Sequence, residues 1–420
     1  MSKGRWGART VKVLQINSVY GIGSTGRIVA DIHKVLSKKS VESYIAYGRA
    51  TLVQGSHVLK IGTKLDYYMH GALTRVFDTH ALWGSERATV QFLDKVQRID
   101  PDVIHLHNLH GYYINIRLLF DYLRKSRKPV IWTLHDCWAF TGHCAYFSYA
   151  KCNKWEQGCQ RCPQKKSYPT SHLFDASRYN YSLKRHLFTS LDNLTIVTPS
   201  QWLANLVQVS FLAKFPVRVI HNGIDTSVFS PVDPTAMRVK YGLSDQFVIL
   251  GVAQGWGERK GLKYFHELAS MIDAHCTIVL VGLNDQQLTQ LPANIIGIKR
   301  TSSVQELAQL YSAADVFVNP TLEDNFPTAN LEALACGTPV ITFDTGGSPE
   351  SINDEIGVVV KQGDVPGLKD AINKLRQETS NFRGGRCVDF GRVKYGMWQR
   401  AQDYLHLYRT CTTMTSVATK

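Results

Sequence analysis

The chain has 420 residues, 44% hydrophobic and 20% charged, which is enough for two domains with substantial cores and is the composition of a soluble globular protein. The basic opening MSKGRWGART has no apolar run behind it, so a signal peptide is not expected. No stretch approaches the roughly 18 apolar residues that span a bilayer, so the chain is expected to be cytoplasmic or held peripherally at a membrane. The formal charge of +14 is uneven, with 30 Lys+Arg against 13 Asp+Glu in residues 1–220 and 18 against 21 in the remainder. That asymmetry, with clusters at Lys34/Lys38/Lys39, Arg124/Lys125/Arg127/Lys128 and Lys165/Lys166, asks for an anionic partner. No nucleic-acid motif accompanies it, so an anionic membrane surface is expected rather than nucleic acid, with a merely solvated basic face as the ordinary alternative.

The first strand is VKVLQIN (11–17), followed by a Gly-rich loop and the amphipathic run RIVADIHKVLSKK. Gly21, Gly23 and Gly26 form G-x-G-x-x-G between strand and helix, a pattern that lets backbone approach phosphates. Ser18, Val19 and Tyr20 separate the motif from its strand, and YIAYG (44–48) runs into Arg49 where an acid is usual. Arg49 suits a 2′-phosphate, which makes an NADP-dependent oxidoreductase the rival reading. LDYYMHGALTRVF (65–77) reads as core-packed, with apolar insertion into a membrane as its alternative. PDVIHLHN (101–108), PVIWTLHD (129–136) and TIVTPS (195–200) read as further short strands. Alternation puts His105 and His107 on one strand face in a core or supporting role. His135 stands at a strand's carboxyl end, where it can donate to a bound group.

Cys137, Cys144, Cys152, Cys159 and Cys162 crowd into 26 residues of a chain with nine cysteines, in a loop-like segment rich in aromatics and Lys. A cytoplasmic setting disfavours disulfides and points the cluster to metal. Cys159-x-x-Cys162 is a zinc half-site that Cys144 and Cys152 would complete as a structural site, with His143 and Cys137 in reserve. The spacing departs from common zinc ribbons, and free thiols are the competing expectation.

The second half runs through PVRVIHNGID, FVILGVAQ (247–254), a helix at KGLKYFHELASMI, TIVLVG (277–282), IIGIKR, a helix near VQELAQLYSAA and DVFVNP (315–320). Strands alternating with helices, twice over, read as two doubly wound α/β domains that meet near His221–Asp225. Arg259 and Lys260 at a helix start oppose the helix dipole, which an anion held there would explain. In EDNFPTANLEALACGTPVITFD (323–344), Pro327 opens a helix on which Leu331, Leu334 and Ala335 recur, and Cys336–Pro339 leads into a strand. Glu323 and Asp324 precede that helix and Glu332 lies on it, so backbone donors for phosphate adjoin carboxylates for sugar hydroxyls. Arg392–Tyr408 reads as a last helix and TCTTMTSVATK as a frayed tail.

Residues 323–344 resemble the donor-binding signature of retaining nucleotide-sugar glycosyltransferases of the two-Rossmann-domain (GT-B) type, family 4. That signature is an acid, seven residues and a Glu, then A-x-A-C-G-x-P-V. Counting back eight from Glu332 gives Asp324 rather than the usual Glu, with Glu323 as an out-of-register substitute. Where the family clamps diphosphate with an Arg and a Lys, this chain has Gly255 and Lys260-Gly261, and Arg259 stands in for the missing charge. The resemblance implies an acceptor-binding domain at 1–220 with a Cys-rich insertion (137–166), a nucleotide-sugar domain at 221–391, and a helix at 392–420 that crosses back. It implies a nucleotide-sugar donor, a lipid-pyrophosphate-linked glycan acceptor, retention of anomeric configuration and no catalytic cofactor. The closest likenesses build capsule, exopolysaccharide of the colanic-acid kind, lipopolysaccharide or O-antigen, peripherally at the inner face of the plasma membrane. By residue, it implies that Gly23, Ser24 and Gly26 lie nearest the diphosphate and acceptor, and that His135 is the histidine facing the ligand. Asp324 or Glu323, with Asn325, Phe326, Pro327 and Thr328, would hold the sugar. Glu332 would hold the ribose, Gly346 and Gly347 would line the diphosphate, and Lys260 with Arg259 would stabilise the leaving charge. A non-catalytic sugar-binding protein is a third reading, disfavoured by the retained Lys260 and Glu332.

Overall fold

The computed structural model describes residues 10–39, 41–49, 53, 55–378 and 384–418, with side chains to residue 413. The chain divides into two compact units, Met1–Pro199 with Ala204–Ile220 and Ala401–Lys420, and Ser200–Leu203 with His221–Arg400. The first contains β1 (Lys12–Asn17), β2 (Glu42–Tyr47), β3 (Val58–Lys60), β4 (Val103–Leu106), β5 (Val130–Thr133), β6 (Leu194–Thr198) and β7 (Val217–Val219), in the spatial order β3-β2-β1-β4-β5-β6-β7. The second contains β8 (Phe247–Val252), β9 (Cys276–Val281), β10 (Ile295–Ile298), β11 (Val316–Asn319), β12 (Val340–Phe343) and β13 (Gly357–Val360), ordered β10-β9-β8-β11-β12-β13.

Every strand pairing among the described residues is parallel, so each unit is the doubly wound α/β sheet that the alternating pattern led one to expect. The cause is legible strand by strand. All residues of β4, β5, β11 and β12 are buried, as strands covered by helices on both faces must be. The first helix, Gly23–Ser37, buries Ile28, Val29, Ile32, Val35 and Leu36 along one stripe. In each sheet the strand order reverses beside the first strand, between β1 and β4 and between β8 and β11. Loops leaving the carboxyl ends there diverge and open a crevice.

Four local expectations change. PVRVIHNGID was expected in the second half, but its strand is β7, which pairs with β6 at Ile196↔Val217. The helix expected over KGLKYFHELASMI is confined to Leu262–Ala269. The last helical segment is two helices, Gly385–Tyr395 and Met397–Ala418, and the second runs through most of the tail expected to fray. The run at 65–77 is not core-packed. Its helix, Lys64–Phe77, starts with a Thr63/Asp66 capping box and buries only His70, Gly71 and Thr74. Leu65, Tyr68, Met69 and Phe77 are exposed.

The final helix persists because it is anchored. Tyr404, Leu405 and Tyr408 join Val13, Ile32, Val103, Ile131 and Val197 in one core. Tyr408 Oη lies 2.7 Å from His105 Nδ1, His105 Nε2 lies 2.8 Å from Thr133 Oγ1, and Tyr404 Oη completes the chain 3.1 Å from Thr133 Oγ1. Tyr408→Phe keeps the packing but orphans a buried ring nitrogen. It should cost about 1–3 kcal/mol in denaturant unfolding, and a loss near zero would detach His105 from the helix.

Candidate active site

In the second unit, the loops leaving β8, β11 and β12 pack together at the point where the strand order reverses. They meet backbone to backbone. A Cβ on Gly261 would fall 2.1 Å from Pro320 O, one on Gly346 1.9 Å from Asp324 O, and one on Gly347 1.9 Å from Asn325 O. Gly261 and Gly346 also take positive φ, 79° and 56°. Gly346 and Gly347 are therefore the wall against which the acidic loop is pressed.

Across this junction, Arg259 Nη1 donates to Glu323 O at 2.7 Å, while Leu322 N donates to Arg259 O at 2.8 Å. Lys260 Nζ meets Asp324 Oδ2 at 2.6 Å, and the Asn325 amide donates to Asp324 Oδ1 at 2.9 Å. Burial alone would raise the Asp324 carboxyl, but Lys260, Arg259 and these hydrogen bonds outweigh it and hold the group below the ordinary aspartate range. Arg259 and Lys260, expected at a helix start, lie just ahead of the α-helix rather than in its first turn. They form a short turn, Glu258–Lys260, ahead of Gly261 and Leu262.

The signature residues divide between the crevice and the core. Asp324 is half-buried, and Thr328 begins the helix Thr328–Ala335 behind Pro327. Glu323 and Asn325 are buried. Phe326 is turned inward, stacked 4.7 Å from His221 and edge-on to Tyr395. Pro327 has no N–H and the Asn325 amide is taken by Asp324, so of the three amides at 325–328 only those of Phe326 and Thr328 remain candidates for a ligand. Glu332 is buried and accepts from Tyr311 Oη at 3.1 Å.

In the first unit the Gly-rich loop leads straight into a helix. Gly23 and Ser24 open Gly23–Ser37, its N-cap Ile22 supplies no side-chain bond, and Gly26 is buried so tightly that a Cβ would touch Val19 at 3.0 Å. Uncapped first-turn amides of this kind suit an anion. His105, His107 and His135 form a row with ring centroids 4.0 and 5.3 Å apart, and His107 Nδ1 lies 3.0 Å from His135 Nε2. Burial pushes His135 down to about 4, against the opposing pull of Asp136 and helped by His110, so its ring is neutral at neutral pH.

Beside this row stands a pair the sequence did not single out. His110 Nε2 lies 2.8 Å from Asp136 Oδ2, and His110 Nδ1 lies 3.1 Å from Tyr168 Oη. The only sequence signal was that both residues follow strands that prove adjacent. Cys144, Cys152, Cys159 and Cys162 line one small cavity, whereas His143 faces Asp78 and His80 instead.

The family model described as "Glycosyltransferase Family 4" matches residues 26–228, and that described as "Glycosyl transferases group 1" matches residues 246–378. WcaC of Escherichia coli K12, whose name places it in colanic acid biosynthesis as a glycosyl transferase, is 25% identical over 95% of this chain and 100% of its own length. D-inositol 3-phosphate glycosyltransferase of Corynebacterium jeikeium is 25% identical over 66% of this chain and 68% of its own. Sucrose-phosphate synthase of Thermosynechococcus elongatus shares the fold, with TM-score 0.72, 16% identity and coverage of 96% of this chain and 100% of that one. So does Anabaena HepE, solved with UDP, with TM-score 0.65, 14% identity and coverage of 96% and 100%.

The buried rings give the first unit a definite pH response. Burial holds His105 and His80 at about 3 and His70 and His135 at about 4, all below the ordinary value of 6.5. Between 6.5 and about 4 the unfolded chain therefore takes up protons that the fold refuses, so stability should fall as pH falls through that window. His143, raised by Asp78 despite its burial, acts in the opposite sense at higher pH, where its contribution fades as pH rises above 6.5. A melting temperature that stays level below pH 6.5 would contradict the burial of these rings.

Proposed function

Because the chain belongs to the family 4 glycosyltransferases of the GT-B type, we propose that it moves a sugar from a nucleoside-diphosphate donor to a lipid-linked or oligosaccharide acceptor in surface-polysaccharide assembly, with retention of anomeric configuration. What carries this is the ion pair Lys260–Asp324 at the reversal of strand order in the second sheet. An acid and a cation held in contact there offer one group to each half of a sugar nucleotide. The sugar's hydroxyls donate to Asp324 while the diphosphate takes Lys260, and the bound donor replaces the pair's mutual neutralisation. As the sugar–oxygen bond breaks, negative charge grows on the leaving diphosphate, and the fixed ammonium meets it without reorganising. Arg259, tied to the acidic loop through Glu323 O, adds to the same field. Glu332, held by Tyr311, supplies the acceptor for ribose hydroxyls. With no carboxylate assigned as nucleophile, departure and attack occur on one face through an oxocarbenium-like transition state. In the first unit, neutral His135 donates a hydrogen bond and carries no charge.

Support for the donor class comes from HepE, solved with UDP and with UDP-glucose, and for the pathway class from WcaC, matched over nearly the whole chain. An oxidoreductase use of the Gly-rich loop would leave Asp324, Lys260 and Glu332 without a task.

The test is thermal stabilisation by a panel of nucleoside diphosphates, sugar nucleotides and NADP, followed by the anomeric configuration of the product by NMR. Sugar nucleotides should stabilise the protein, NADP should not, and an inverted product would overturn the retaining route. Lys260→Ala should lower kcat about 100- to 1,000-fold. Asp324→Ala should cost more activity than Glu323→Ala, and the reverse order would move the sugar contact to Glu323.

The basic first half and the exposed Leu65, Tyr68 and Met69 support attachment to an anionic membrane surface. No helix among the described residues is long and apolar enough to cross a membrane. Binding to anionic vesicles should weaken as salt rises, because exposed charges are screened beyond about 8–10 Å at physiological ionic strength. Affinity independent of salt would assign the attachment to the apolar face of Lys64–Phe77 alone.

A further inference from the structure

Between the turn Trp138–Phe140 and the helix Ser177–Phe188, the chain contains only one further short turn, Lys154–Glu156. A segment so long inside a compact unit needs fastening. One fastening is aromatic, with Trp155 packed 5.2 Å from Phe140 and 4.9 Å from Phe147. Against that layer lies a cavity of about 10 Å³, lined by Cys144, Cys152, Cys159 and Cys162 with Phe147 and Trp155. That is room for one small ion or water. All four cysteines are free thiols. We propose that Cys144, Cys152, Cys159 and Cys162 bind one zinc ion as a closed structural site, each thiol releasing its proton to solvent as the metal binds.

A backbone donor already faces one of the sulfurs. The Gly142 amide donates to Cys159 Sγ at 3.1 Å, and no side chain fits at 142, where a Cβ would lie 2.2 Å from Ser177 O and 2.6 Å from Cys159 Cβ. Lys184 is fully buried, with Nζ donating to Trp138 O at 2.7 Å and Thr141 O at 2.9 Å, 3.6 Å above the Trp138 ring.

Among the described residues, the group of three potential ligands lying within 4.8 Å of one another is Asp78, His80 and His143, not the cysteines. Its spacing is that of hydrogen bonds. The atoms stand 2.6, 2.7 and 3.1 Å apart, whereas nitrogen and oxygen ligands on tetrahedral zinc are about 3.3 Å apart. Trp138 Nε1 donates to His80 Nδ1 at 3.0 Å, so the proton of the neutral ring is on Nε2, which faces Asp78. Asp78 Oδ2 accepts the Ala176 amide at 2.8 Å. This network is complete without a metal. The sulfurs, by contrast, are more loosely spread than the roughly 3.8 Å of a zinc tetrathiolate, so metal binding draws the loop inward.

Full-length protein purified without added metal should carry about one equivalent of zinc by elemental analysis. Exchange with cobalt should give a strong thiolate-to-metal charge-transfer band, which a site at Asp78, His80 and His143 would lack. Chelation should lower the melting temperature and expose the four thiols to alkylation, while stabilisation by the nucleoside diphosphate is retained, so failure here is separate from failure of the transferase reading. Cys159→Ser and Cys162→Ser should lose the zinc. If they do not fold, the metal content and cobalt spectrum of the wild-type protein decide. Metal-free protein whose thiols all alkylate in the folded state, or a cobalt spectrum without thiolate bands, would overturn the site.

Discussion

The second unit is organised by three loops whose main chains approach more closely than any side chain allows. Gly261 against Pro320, Gly346 against Asp324 and Gly347 against Asn325 let the loops after β8, β11 and β12 share one small volume. Only then can Lys260 reach Asp324, and Arg259 the Glu323 carbonyl. A methyl group at any of the three glycines would displace backbone rather than a flexible side-chain end. The ion pair thus depends on residues that carry no functional group.

The first unit uses a different economy. Its strands bring histidines inside, and burial keeps their rings neutral, so they act as hydrogen-bond relays rather than charges. His105 links the sheet to the final helix through Tyr408, while His107 orients His135. A neutral, oriented imidazole beside His110–Asp136 suits positioning of a hydroxylated ligand better than proton transfer near neutral pH.

The long segment after β5 is held by neither sheet nor long helix. Asp78, with left-handed backbone at φ 57°, collects His80, His143 and the Ala176 amide, and so fixes both ends of the segment. The cysteines and Lys184 occupy its centre. Two polar systems therefore add here to the aromatic packing of Trp155 on Phe140 and Phe147.

The alternation of apolar strands with helices, the reversal rule for parallel sheets, and the run from Glu323 to Asp344 were legible in the sequence because each is set by neighbours a few residues apart. Local spacing placed Asp324 ahead of the helix and Glu332 on it, eight residues later, and named Lys260 as the unusual cation. It could not pair Lys260 with Asp324, 64 residues away, nor turn Phe326 inward onto His221. It misassigned β7, because a short apolar run does not say which sheet it joins, and it treated the helix at 64–77 as core although its apolar side is exposed. Sequence by itself determined which residues are able to form strands, caps and charge-bearing loops, since those follow from side-chain period and backbone freedom. Tertiary structure alone decided which distant loops touch and which acids and histidines are stripped of water, because those depend on the order in which the strands assemble.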